Sequence, residues 1–379
     1  MSAKRSKPWV STSLSRALQE YLEQQQIKQQ PLADYLNVDV RTLRRWLSGD
    51  TVITDVRELK RIAELLEVKP EKLGVTASLP IPLAPDEIDT SIDHVWKLVR
   101  TARYHDADVL VNKLIRDISS LLHTEDAKLL RKLAYAQHVA GFVKSQVTRA
   151  DETAIPFAHY NEMERIARIL GDQALISVAL TYEGDMLQRG GKIEQSIQYL
   201  EAVRDTPSHI DVSVRGNGIQ LLGRAYFKAQ RFADFERVMK EAEALAHEPQ
   251  IADLSNNVKG QYGAGTVYEE WGRSLGLLGR TNEAMEYLDK AEDIFSQTWI
   301  LPRRNMLMKT ARAMVLVRDG EIQQGVEMAV EALDLCRKQG NIRLLERIYG
   351  IHQYLNQLTR EIGTSKSILG EALVGPVDY

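Results

Sequence analysis

Residues 29–49, QQPLADYLNVDVRTLRRWLSG, leave a chain few ways to fold. Leu32 and Leu36 stand i, i+4, and Leu43 and Trp46 stand i, i+3, so two short helices each carry one apolar edge. Between them Asn37-Val38-Asp39 is too short for a loop and too polar for a helix interior. Asn tolerates the left-handed backbone of a sharp reversal, and Asp39 is a good N-cap for the helix that follows. The spacing predicts a helix-turn-helix whose second helix covers Val40 to Leu47, with Trp46 in the core. That helix projects Arg41, Arg44 and Arg45 with no acid among them, a surface suited to the DNA major groove. Any helical hairpin can show arginines to solvent. Here the helix lengths, the turn and the apolar spacing agree on one motif.

The flanks extend the same small domain. Leu14, Ala17, Leu18, Tyr21 and Leu22 repeat at helical spacing over residues 13–26. Thr54 or Asp55 caps a further helix, Asp55 and Glu58 have the form of a capping box, and Val56, Leu59, Ile62, Ala63 and Leu66 face the core. Pro70 opens a last short turn through Leu73. On Gln29-x-x-Leu32-Ala33, Val38, Leu43, Trp46 and Gly49, residues 14–73 resemble the lambda-repressor-like (XRE, Cro/CI-type) DNA-binding domains. Asn37 stands where glycine is usual in that family, and Leu47 where glutamate is common. The resemblance implies a five-helix domain that binds double-stranded operator DNA through Gln29, Asp39, Val40, Arg41, Thr42, Arg44 and Arg45. It places Asp39, Val40, Arg41 and Arg45 toward base edges, and Gln29 and Arg44 nearer the phosphates.

Charge divides the chain unevenly. Of 49 Lys+Arg and 52 Asp+Glu in all 379 residues, the first 78 residues hold 13 and 10, leaving 36 and 42. A mildly basic head precedes an acidic body, as a protein with one nucleic-acid-contacting end requires. The length suggests two domains. Residues 1–10 read as a disordered basic arm, 11–75 as the DNA-binding domain, 76–85 (TASLPIPLAP from Thr76) as a stiff proline-rich linker, and 86–379 as the body. The single cysteine, Cys336, excludes an intramolecular disulfide and lies on an apolar helix face, as a structural thiol does. The basic N-terminus lacks the apolar run of a secretory signal, and no run approaches the length of a membrane helix. A cytoplasmic location without membrane contact is expected.

From Asp86 onward the pattern is helix after helix, and the expected fold class is all-α. Leu180-x-x-Glu183-Gly184-x-x-Leu187, Ile219-x-x-Leu222-Gly223-x-x-Tyr226 and Tyr268-x-x-Trp271-Gly272-x-x-Leu275 repeat, and Ala313-x-x-Leu316 echoes them. The body resembles the tetratricopeptide repeat, in which small residues mark close helix crossings. The glycine intervals, 39 and 49 residues, exceed the ~34 of the standard unit. About six hairpins are expected, closed by a helix over residues 342–362, as an α-solenoid with a concave surface.

Catalytic chemistry has no constellation to rest on, and no enzyme activity, cofactor or metal is expected. The eight histidines are scattered. Gly190-Gly191-Lys192 lacks the first glycine of a phosphate loop, Met186 standing there, and reads as an interhelix turn. Gly263-Ala264-Gly265 has no strand before it. The adjacent Glu269 and Glu270 are expected on different sides of their helix.

Together the two resemblances imply a bacterial helix-turn-helix–tetratricopeptide regulator, a class that includes receptors for short signalling peptides. In such repeats the positions six and three before the signature glycine, and one and five after it, point into the groove. Around Gly223 these are Asn217, Gln220, Arg224 and Lys228. Around Gly184 they are Val178, Thr181, Asp185 and Arg189, and Gly272 contributes Glu269 and Arg273. Amide side chains suit a peptide backbone, and the cations suit a terminal carboxylate. Homodimerisation is expected through the last helix, where Leu344, Leu345, Ile348, Ile351 and Leu355 make a wide apolar face. The alternative left open is a body that serves only as a dimerisation or partner-protein platform, without a small ligand.

Overall fold

The computed structural model describes residues 13–49, 51, 53, 56–73, 87–122, 126–206, 211–248, 262–297 and 302–374, excepting the side chains of residues 56, 57, 60, 71, 297, 302 and 374. The basic arm, the Thr54/Asp55 cap with its capping box, the Val56 side chain and the 76–85 linker lie outside the described residues. The chain forms two compact units, Met1–Ile81 and Pro82–Tyr379.

The first unit consists of α1 (Ser13–Gln25), α2 (Gln29–Tyr35), α3 (Val40–Leu47), α4 (Val56–Leu65) and a 3-10 turn over Pro70–Leu73. Leu18, Leu32, Leu36, Leu43 and Ile62 are fully buried, and Trp46 closes the same core. Removing each such side chain from water stabilises by ~1.5–3 kcal/mol, and a unit this small rests on those few residues. Asn37 turns the chain at φ 55°, and the Val38 amide donates back to the Ala33 carbonyl at 2.9 Å. Asp39 then caps α3, its carboxylate accepting from the Arg41 amide at 2.7 Å. Leu47 is buried, while its carbonyl at the end of α3 accepts from the Ser15 hydroxyl at 2.7 Å. A leucine at this position therefore serves the core, and a serine from α1 caps the helix end.

The second unit is a stack of antiparallel hairpins: α5 (Glu87–Arg100) with α6 (Tyr104–Leu121), α7 (Ala127–Val147) with α8 (Ala154–Leu170), and α9 (Gln173–Arg189) with α10 (Ile193–Arg204). Next come α11 (Val212–Lys228) with α12 (Phe232–Ala246), α13 (Ala264–Leu277) with α14 (Thr281–Gln297), and α15 (Pro302–Asp319) with α16 (Ile322–Gln339). A single helix, α17 (Ile342–Val374), ends the stack, and no strand occurs among the described residues. The described residues form an all-α fold: a small helix-turn-helix unit and, later in the chain, a solenoid of tetratricopeptide-like hairpins.

The signature glycines are where the helices cross. A β-carbon on Gly184 would stand 2.7 Å from Leu200, and one on Gly272 2.6 Å from Leu288 and 2.8 Å from the Ala284 carbonyl oxygen. Gly141 does the same against Tyr160 in the α7–α8 hairpin, whose sequence carries no clean signature.

Two features depart from expectation. The solenoid does not remain open: α17 packs against α7 as well as α15 and α16, and α15 also meets α5. One core joins the first helices of the body to the last, and a second fills its middle. The closing helix also runs to Val374, twelve residues beyond the expected end at Ile362. Of its apolar face, Leu344, Ile348 and Ile351 are buried in the body's own core, with Leu345 and Leu355 packed against it. That face closes the stack and is not free for a second copy. Apart from Tyr349, the exposed large hydrophobic residues of α17 lie further along, at Ile362, Ile368, Leu369 and Leu373.

Candidate functional site

The outer face of α3 is built by its burial pattern. With Leu43, Trp46 and Leu47 turned inward, Arg41, Arg44 and Arg45 fall at i, i+3 and i+4 on the exposed side. No ion pair engages any of the three among the described residues. Arg44 donates from Nε to the Gln29 Oε1 at 3.2 Å, tying the start of α2 to α3. Asp39 is exposed at the helix start but already accepts from the backbone. Val40 and Thr42 are half-buried, and Val40 packs against the core. Of the seven expected DNA-contacting residues, Gln29, Asp39, Arg41, Arg44 and Arg45 are exposed.

In the body, the inner helices α9, α11 and α13 bring charges together beneath α17. Arg224 donates from Nε to Glu270 at 2.9 Å and from a terminal nitrogen to Asp185 at 3.2 Å. Arg343 grips both oxygens of Asp185 at 2.9 Å. Arg273 pairs with Glu270, and Arg347 with Glu269 at 3.4 Å. Adjacent residues on a helix are expected on different sides. Glu269 and Glu270 do diverge by a helical step, but both are buried and Arg273 reaches both.

These groups enclose a cavity of about 100 Å³. Five of the expected groove residues line it: Asp185, Asn217, Gln220, Arg224 and Glu269. Three do not. Thr181 is fully buried between α9 and α11, its hydroxyl donating to the Ser177 carbonyl at 2.7 Å. The Lys228 ammonium donates to the Gln188 carbonyl at 3.3 Å, and Arg273 lies behind Glu270. Among the further positions raised by the repeat count, Val178 is in the core and Arg189 donates to the Ser145 and Thr148 carbonyls while pairing with Glu346. Sequence reasoning missed Arg303 and Arg304 on α15, Asn341, and Arg343 and Arg347 on α17, all of which line the cavity. Counting from signature glycines finds only inner-helix residues, and none of these five belongs to such a count.

Burial acts on the ionisation of this cluster. Desolvation would raise the Asp185 and Glu270 carboxyls, but their arginines outweigh it and hold both below the usual range. Lys228 is lowered to about 8 by burial and by Arg224 and Arg273. His138, buried among Trp96, Tyr160 and Tyr182, is lowered to about 3 by desolvation and is neutral. Cys336 is buried with its thiol raised to about 11, the state of a packing group. The 190–192 stretch forms the turn between α9 and α10.

Residues 18–73 match the helix-turn-helix family. No match is found among curated proteins. Among solved structures the chain is similar to PlcR of Bacillus thuringiensis, solved with the peptide PapR7 and DNA, at 12% identity over 78% of this chain and 99% of that one, TM-score 0.41. A Rap protein complexed with competence and sporulation factor matches at 13% identity over 76% and 89%, TM-score 0.45. The apo competence regulator ComR from Streptococcus vestibularis matches at 16% identity over 81% and 98%, TM-score 0.36.

Proposed function

We propose that this chain is a sequence-specific DNA-binding transcriptional regulator whose body binds a small ligand and dimerises. The carrying observation is the outer face of α3, three arginines on a capped, buried-edge helix in a unit of helix-turn-helix type. In this reading Arg41 and Arg45 meet base edges beside Asp39, Val40 and Thr42, while Arg44, steered by Gln29, meets phosphate. A bidentate arginine–guanine contact discriminates by ~1–3 kcal/mol. Selection of bound sequences from a random duplex pool tests it. Arg41→Ala should relax preference at one base pair, and Arg44→Ala should weaken all sequences alike and flatten the salt dependence. Unchanged affinity and preference in both variants would refute the assignment.

The closed groove shapes the ligand half of the proposal. The cavity of about 100 Å³ is small and lined by charged groups beneath α17, so we read the occupant as a small molecule. Dimerisation moves outward along the same helix. Beyond the body, Leu358, Ile362 and Leu369 continue the heptad line of Ile348, Ile351 and Leu355. In a parallel pair of these helices Glu361 of one copy falls opposite Lys366 of the other. Two heads joined this way suit an operator with half-sites about one helical turn, or a multiple, apart.

A further inference from the structure

The charges around the cavity carry the ligand question further, on the reading that the groove is a ligand site. Five guanidiniums line it, those of Arg224, Arg303, Arg304, Arg343 and Arg347, against the carboxylates of Asp185 and Glu269. Adding the adjoining Glu270–Arg273 pair makes six cations against three anions. Composition does not explain the excess, because the chain beyond residue 78 carries 42 acids to 36 bases. Each carboxylate is already divided: Asp185 between Arg224 and Arg343, Glu270 between Arg224 and Arg273, and Glu269 between Arg273 and Arg347. Arg304 has no carboxylate partner among the described residues and lies over the Phe295 ring at 4.7 Å.

A neutral donor points the same way. Asn341 is fully buried, and its Oδ1 accepts from the Leu344 amide at 3.0 Å, which fixes the amide's orientation. Asn341 lines the cavity, and its buried Nδ2 makes no well-formed hydrogen bond among the described residues, with the Tyr104 hydroxyl beside it. Buried donors and cations without acceptors cost stability until something supplies the acceptors. Gln220 is already held by Thr266, whereas Arg304 and Asn341 line the cavity with donors the protein leaves less fully engaged.

We infer that this cavity binds a compact anion of two or three negative charges, a phosphate group or a pair of carboxylates on one short carbon chain. The cavity of about 100 Å³ has room for such a group. Arg304, Arg347 and the Asn341 amide grip the anion, and the three protein carboxylates keep Arg224, Arg273 and Arg343 in place. Crowding of like charge supports the assignment, since neighbouring guanidiniums add to burial in lowering both Arg304 and Arg347. An anion bound to the native state alone raises its stability with concentration.

The test uses the full chain at fixed pH and fixed ionic strength, titrated by calorimetry and thermal unfolding with inorganic phosphate, with succinate, and with chloride as control. Saturable binding near one anion per chain, with a melting temperature rising above the chloride control, is expected for phosphate, succinate or both, and names the source. Arg304→Gln and Arg347→Gln should each weaken that binding at least tenfold, and Arg304→Gln should melt no lower than the parent in chloride. Neither anion exceeding chloride overturns the inference, as does binding that both variants leave unchanged. DNA selection on the same preparations separates the two proposals: anion binding without sequence preference sinks the regulator, and the reverse sinks the anion site.

Discussion

Replacing Arg224 with methionine tests whether the buried cluster holds the body together. The guanidinium is one of two partners for Glu270 and one of two for Asp185, and all three side chains are largely enclosed. Removing one member of a buried ion pair typically costs ~3–5 kcal/mol when the other is stranded. Here Glu270 keeps Arg273 and Asp185 keeps Arg343, so the loss should be smaller, about 2–3 kcal/mol. For a unit of this size that lowers the melting temperature by roughly 4–8 °C. The sign with pH follows from the depressed Glu270 carboxyl: its stabilisation is complete above its ordinary pKa of 4.5 and is lost as pH falls toward its lower folded value. The deficit of Arg224→Met should therefore be nearly constant from pH 7 to 5, below the Lys228 titration that Arg224 also influences, and shrink below about 4.5. Chemical denaturation followed by circular dichroism reads both quantities, and combining the substitution with Glu270→Gln closes a double-mutant cycle. A variant as stable as the parent at pH 7, with zero coupling to Glu270, would refute the claim that these pairs stabilise the fold.

Other expectations rest on single sites. Glu183 is fully buried, and burial followed by Glu164 raises its carboxyl to about 8, against weaker opposing effects of Asn161 and Arg168. The folded state thus holds an extra proton, stability falls as pH rises from 4.5 to about 8, and Glu183→Gln should flatten that slope and stabilise most at pH 9 in denaturant titrations. Gly272→Ala forces a methyl against the Ala284 carbonyl oxygen and should cost about 1–3 kcal/mol. Gly223→Ala presses chiefly on the flexible Met239 thioether, with a Val238 methyl at ordinary contact distance, and gains helix propensity, so equal melting temperatures for the two variants would contradict the packing argument. Ile362→Asp with Leu369→Asp should give a monomer by light scattering with helicity intact; a persistent dimer would place the contact elsewhere.

Local rules made the head legible. The turn at Asn37, the cap at Asp39, the extent of α3 and the inward Trp46 all depend on residues within a few positions of one another, and each took the conformation its chemistry favours. The repeat glycines were legible for a similar reason, since a close crossing within one hairpin needs a small residue at a fixed place. Gly141 escaped because the residues around it do not repeat the pattern, although its packing does. What the sequence could not decide was closure. Whether a stack of hairpins stays open or meets itself depends on small rotations summed over six crossings, and no short stretch encodes that sum. Closure brought Arg343 and Arg347 of α17 over Asp185 and Glu269, more than 70 residues away along the chain. It turned an expected open groove into a small cationic cavity, buried the apolar face assigned to a second copy, and left the far end of α17 exposed.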